Sequence, residues 1–140
     1  MQIKMSKQDL RAFLDQEFPQ VSSDFEVLEL APMRVKIAMA ITDKNLRPGG
    51  TVSGPAMFTL ADISFYLALM AMIGPKALAV TTNCAIDFLQ KPAAHADIHA
   101  VAHIHKLGRV LAVGQVLVYS NGMSAPVAQA SLTYSIPPGS

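Results

Sequence analysis

The hydrophobic positions of this chain fall into one strict alternation, several extended apolar runs and one unbroken block. Between Met33 and Ile41, the residues Met33, Val35, Ile37, Met39 and Ile41 alternate with Arg34, Lys36, Ala38 and Ala40. A period of two is the signature of a strand with one covered face. Phe25 to Leu30 precedes it across Ala31-Pro32, so the two runs are expected to form a hairpin. Four further strand-like runs follow: Ala79 to Leu89, Ala96 to Lys106, Val110 to Ser120 and Pro126 to Ile136. Leu107-Gly108 and Asn121-Gly122 read as turns between them, the second with the residues favoured by a type I′ hairpin. Long consecutive hairpins predict an antiparallel sheet.

Helical signals occur twice. Ser6 with Asp9 forms a capping pair ahead of the stripe Leu10, Phe13, Leu14 and Phe18, which stops before Pro19. This predicts a short covering helix, with a lid over a substrate pocket as the sharper alternative. The block from Ala56 to Ile73 contains one charge, Asp62, and only Thr59, Ser64 and Tyr66 as further polar side chains. A helix apolar nearly all round belongs in an interior. As a membrane span the block is at the short end of the required length, and Asp62 near its middle would cost about 2.5 to 3.5 kcal/mol on insertion scales. A central helix in an α+β domain is expected instead, with no membrane partner. Gly50, Gly54 and Pro55 lead into this helix, Pro55 suiting its first position, and Gly74-Pro75 end it. The expected architecture is one domain over residues 1–140, with a short N-terminal helix and an antiparallel sheet packed on a long central helix.

With 51% hydrophobic and 15% charged residues, the composition is far from that of a disordered chain. The net charge of +1 leaves no broad footprint for nucleic acid or an anionic membrane. Seven bases and seven acids precede Pro48, and only four bases and three acids follow it, so the later part is expected to be extensively buried, subunit contacts included. Cys84 is the single cysteine, which excludes an intramolecular disulfide. With no signal-peptide pattern in MQIKMSKQDLRAFL, a cytoplasmic location is expected. Cys84 itself reads as a small buried hydrophobe before a catalytic thiol.

Asp62 carries the candidate chemistry. A carboxylate in an apolar helix is either capped by neighbouring hydroxyls and amides or kept for a reaction. At the start of the helix, the free N–H groups around Gly54 suit an anion or a developing oxyanion. Gly54 and Asp62 are eight residues apart, a rise of about 12 Å along a helix. Acting on one carbon, they are expected to come from two copies of the helix. The expected assembly is therefore a homo-oligomer, a dimer or dimer of dimers, with the active site between subunits.

The segment Gly50-Thr51-Val52-Ser53-Gly54-Pro55, followed by Asp62, resembles the G-x-x-H-G-G segment with a later Asp or Glu found in hotdog-fold acyl-CoA thioesterases. The phenylacetic-acid-pathway (PaaI-like) branch is the most similar, and the order of elements agrees from about Phe25 to Ile136. The resemblance implies a hotdog fold and hydrolysis of an acyl-CoA to free acid and CoA. It further implies that the Gly54 amide polarises the thioester carbonyl and that Asp62 is general base or nucleophile. Ser53 stands where the family usually has His, and Pro55 where it has the second Gly. Of Thr81, Thr82 and Asn83, Thr81 best matches the family's Ser or Thr that orients the catalytic water or carboxylate, although Thr is also an ordinary strand residue.

Asn45 matches an Asn upstream of the loop that helps hold the thioester, a turn-forming Asn being the plainer alternative. Asn83 joins it as a substrate-binding candidate. Lys91 and Arg109, with Lys106, are candidates for the CoA phosphates, against the plainer reading of solvated turn charges. His99, His103 and His105 spread over about 20 Å of strand and do not converge on a metal. There is no P-loop or dinucleotide fingerprint, so no cofactor or metal is expected. Two alternatives stand beside hydrolysis. A hotdog dehydratase or hydratase commonly uses a His in or near the loop or helix, and none of the four lies before Ala94. A non-catalytic acyl-thioester binding protein would keep the pocket without turnover.

Overall fold

The computed structural model describes residues 2–138; Met1, Gly139 and Ser140, at the ends of the expected domain, lie outside the described residues. The elements are α1 (Lys7–Glu17), β1 (Phe25–Ala31), β2 (Arg34–Met39), α2 (Gly54–Ile73), β3 (Val80–Phe88), β4 (Ile98–Leu107), β5 (Leu111–Ser120) and β6 (Ala128–Ser135). The cap expected at α1 is complete. Asp9 N donates to Ser6 Oγ at 3.1 Å and Ser6 N to Asp9 Oδ2 at 2.9 Å, satisfying two amides that the first turn leaves free. Leu10, Phe13 and Leu14 are its buried face.

β1 and β2 form the expected hairpin, with Ala31 opposite Arg34 and Met33 in the turn at φ 66°. Val35, Ile37 and Met39 point inward and are buried. The six strands form one antiparallel sheet in the order β1-β2-β4-β5-β6-β3. β4, β5 and β6 are consecutive neighbours, but β3 departs from the expected run of hairpins. α2 carries the chain across the sheet, so β3 joins the far edge beside β6, and residues 89–97 return to place β4 against β2. The turn at Asn121-Gly122 also differs from type I′, which needs positive φ at both central residues. Only Gly122 has it, at 90°. Asn121 is instead tied down by its own amide, which donates to Asp97 O at 2.9 Å.

Every residue of α2 from Ser64 to Met72 is buried. The concave face of the sheet covers one side. The other is closed by the N-terminal segment, where Lys4 N and Met5 N donate to Ala71 O and Phe13 and Phe18 pack on Tyr66 at centroid distances of 5.9 and 5.7 Å. By length and composition α2 could cross a membrane, but it is wrapped by its own chain. On β5, Gly114 lets the Phe65 ring lie flush: a Cβ there would strike the His103 carbonyl oxygen and sit 2.6 Å from Phe65 Cε1. A sheet wrapped round one long helix is the hotdog fold. Its β3 edge is the thinly covered part, for no residue from Val80 to Phe88 is buried.

Candidate active site

A strand irregularity builds the surroundings of Asp62. Along β3, Cys84, Ile86 and Phe88 face inward opposite Leu132, Ala130 and Ala128. Strict alternation would then turn Thr82 inward and Thr81 outward. The register shifts between Thr81 and Asn83, and Thr81 is directly opposite the inward-facing Tyr134. The extra residue is Thr82, whose hydroxyl donates to Thr133 O at 3.3 Å. Bulges re-aim side chains in this way.

Thr81 Oγ1 consequently donates to Asp62 Oδ1 at 2.7 Å, and Tyr134 OH reaches the same oxygen at 2.6 Å and the Asp62 carbonyl at 3.2 Å. Among the described residues nothing donates to Oδ2. Burial, reinforced by the hydrogen bond to Asp62, holds the Tyr134 phenol far above the ordinary tyrosine pKa, so it remains a donor. Cys84 lies near the same carboxylate. Burial and then the Asp62 charge push its thiol pKa up, the opposite of what activates a nucleophilic cysteine.

The other half of the site is the start of α2. Ser53 is the N-cap, its Oγ accepting from Ala56 N at 3.3 Å, and Gly54 is the first helical residue. Pro55 therefore occupies the second position rather than the first, where an amide is equally dispensable. Among the described residues the Gly54 N–H has no hydrogen-bond acceptor. It borders a cavity of about 460 Å³ lined by Arg47, Thr51, Gly54, Met57, Phe88 and Lys91. The Phe88 ring rests against Gly54, since a Cβ there would lie 3.2 Å from its Cζ. Asp62 is two turns further along and outside this lining.

Of the sequence candidates, Asp62 and Thr81 are in contact, while Gly54 and Lys91 share the cavity, with Ser53 capping the helix beside it. Three are elsewhere in the chain. The Asn45 side chain accepts from Thr42 N at 2.9 Å and its carbonyl accepts from Ser53 N at 2.8 Å, bracing the loop. Asn83 is exposed on the outer face of β3. Arg109 is at the opposite end of α2, where it lines a hollow of about 780 Å³ with Lys4, Lys76 and Ile73. His95 packs against Gly50, outside the Gly54 cavity, with its amide donating to Gly50 O at 2.9 Å. Among the described residues, no three His, Cys, Asp or Glu side chains gather as a metal site. Tyr134, Arg47 and Phe88 were not singled out by sequence. Tyr134 carried a signal: it is the one hydroxyl among the inward positions Ala128, Ala130, Leu132 and Tyr134, and a buried tyrosine hydroxyl seeks an acceptor.

A family model described as the thioesterase superfamily matches residues 49–126. A Silicibacter protein, provisionally named a thioesterase, is 47% identical with a TM-score of 0.92, over 99% of this chain and 96% of that one. Zebrafish thioesterase superfamily member 2 is 28% identical with a TM-score of 0.79, over 98% of this chain and 99% of that one. A mutant of the phenylacetic acid degradation protein PaaI from Thermus thermophilus is 29% identical with a TM-score of 0.71, over 85% and 99% of the two chains. A Deinococcus radiodurans protein, provisionally named an esterase, is 28% identical over 92 residues, which span 66% of this chain and 60% of that protein's length.

Proposed function

The chain belongs to the thioesterase superfamily, and on that premise we propose that it hydrolyses an acyl-CoA thioester to a free acid and CoA, with Gly54 and Asp62 supplied by different subunits. The observation that carries this reading is the state of the two half-sites. Among the described residues, Asp62 is held by one oxygen with the other unbonded, and Gly54 lines a cavity with its amide unpartnered.

In the reaction, Asp62 Oδ2 takes a proton from water as the water oxygen bonds to the acyl carbon. The carbonyl electrons move to oxygen, where the Gly54 amide and the positive end of α2 stabilise them. Collapse breaks the carbon–sulfur bond, and the thiolate leaves with the proton returned by Asp62. Direct attack by the carboxylate, through an anhydride that water then opens, uses the same groups.

The exposed β3 edge favours the subunit arrangement. Val80 is 55% and Phe88 53% exposed, and an unpaired apolar edge strand calls for a partner. A second copy running antiparallel along β3 brings the Phe88 end of one strand, with Gly54, beside the Thr81 end of the other, with Asp62. Ser135, which pairs with Val80, also lines the Arg109 hollow. Arg109 of one subunit and Lys91 of the other thereby approach the same site, suited to the phosphates of CoA.

The test is thiol release from a panel of acyl-CoA esters, coupled to subunit mixing. Asp62→Asn and Gly54→Pro, which removes the amide donor, should each be strongly impaired alone and regain activity when mixed, because a mixed dimer holds one intact site. Binding of acyl-CoA without thiol release by the wild-type chain would identify a binding protein instead.

A further inference from the structure

We infer that Tyr134 is a positioning residue for the reaction: with Thr81 it pins Asp62 through Oδ1, so that Oδ2 alone is presented to water or the acyl carbon. This deepens the hydrolase reading and rests on it.

The geometry is specific. Two hydroxyls from directly paired residues of adjacent strands converge on one carboxylate oxygen, at 2.7 Å from Thr81 and 2.6 Å from Tyr134. A carboxylate has acceptor sites on both oxygens, and sharing the donors between them would tie down the reactive lone pairs. Concentrating both donors on Oδ1 fixes the side-chain rotation while leaving Oδ2 unbonded among the described residues. The same phenol lies 3.2 Å from the Asp62 carbonyl oxygen, tying its position to the backbone turn that carries the carboxylate.

The tyrosine is itself held in place. Its ring packs between Phe65 and Tyr66, at centroid distances of 5.4 and 6.0 Å. Tyr66 is anchored by its own hydroxyl on Ala77 O at 3.0 Å, and Phe65 lies flush on Gly114. The donor is thus built into the core of the sheet, whereas Thr81 sits on the thinly covered edge strand. A donor fixed by packing costs little ordering when the reactive geometry forms. The phenol serves as a strut and keeps its proton through the reaction.

Tyr134→Phe removes only the hydroxyl and keeps the ring packing. A hydrogen bond to a charged group corresponds to about 10- to 100-fold, and that is the expected fall in kcat, with KM held within about twofold. Combined with Thr81→Ala, it should lower kcat by more or less than the product of the two single losses, since both act on one oxygen. Unchanged kcat, or a loss confined to KM, overturns the inference.

A second measurement does not depend on turnover. With tyrosine labelled at its phenolic carbon, the Tyr134 resonance should move in Asp62→Asn and stay in place in Ser53→Ala; an unmoved resonance in Asp62→Asn overturns the inference. If the wild-type chain hydrolyses no acyl-CoA, the hydrolase reading fails and this resonance still decides whether Tyr134 holds the carboxylate.

Discussion

Ser53 Oγ accepts a hydrogen bond from the Ala56 amide at 3.3 Å, so the residue standing where the resembled family has His is the N-cap of the helix that carries Asp62. The oxygen is committed to the helix, which limits what it can do for a thioester. Ser53→Ala should lower stability by about 1 kcal/mol, the usual cost of an N-cap, as read by thermal denaturation. Its kcat should change by less than about tenfold, because the Gly54 amide remains. A fall matching a lost oxyanion donor, about 2.7 to 4 kcal/mol, would show that the hydroxyl serves the substrate directly.

Asp62→Asn keeps the size of the side chain and removes the base. With Asp62 as general base, kcat should fall by about 10² to 10⁴, while acyl-CoA affinity, measured by calorimetry, stays close to that of the parent. The amide also accepts from Thr81 and Tyr134, so the thermal transition should move little. Full activity in a folded variant would remove Asp62 from the mechanism.

The central helix and the strand runs were legible because their patterns reflect burial. Asp62 stood out as the one charge between Ala56 and Ile73, and Met33 to Ile41 alternated as a half-covered strand must. The sheet order was not legible, because periodicity says which face of β3 is covered but not that β3 pairs with β6. The Asp62–Thr81 pairing was accessible only through the family resemblance. The inward aim of Thr81 depends on the extra residue at Thr82, which no alternation pattern contains, whereas Tyr134 stays in step with Ala128, Ala130 and Leu132. Arg47 and Phe88 reach the Gly54 cavity through loop and strand-end placement, for which the sequence has no local signal.

Alkaline pH should unfold the chain. Burial, with a smaller contribution from the Glu17 charge, raises Tyr66 from 10.0 to about 12, and Tyr134 shifts in the same direction. Both phenols are therefore neutral in the folded state where an unfolded chain would already lose their protons. The stability that Tyr66 confers is complete below about pH 10 and is lost as the pH rises through about 12, and that of Tyr134 is lost over a higher range. Phenolate absorbance and circular dichroism should change together across that range, and Tyr66→Phe should weaken the dependence. Phenolate formation by all three tyrosines well before any loss of secondary structure would contradict the burial argument.

The edge strand offers the sharpest test of where the site lies. In β3, Val80 is 55% exposed and Ala85 is exposed on the outer face; neither lines the Gly54 cavity nor bonds to Asp62. Lysines at these two positions, Val80→Lys with Ala85→Lys, put charge on an edge that a second copy is proposed to cover, and charge is how edge strands refuse partners. Each chain keeps its own Gly54, Asp62, Thr81 and Tyr134. If the site is shared, light scattering should show the mass falling to that of one chain, and kcat/KM should fall by about 10² or more as the oxyanion donor and the base part. The circular dichroism spectrum should remain that of the folded sheet and helix. A folded single chain that hydrolyses thioesters at the parent rate would mean that the half-sites of one chain suffice, and the two-subunit mechanism would be wrong.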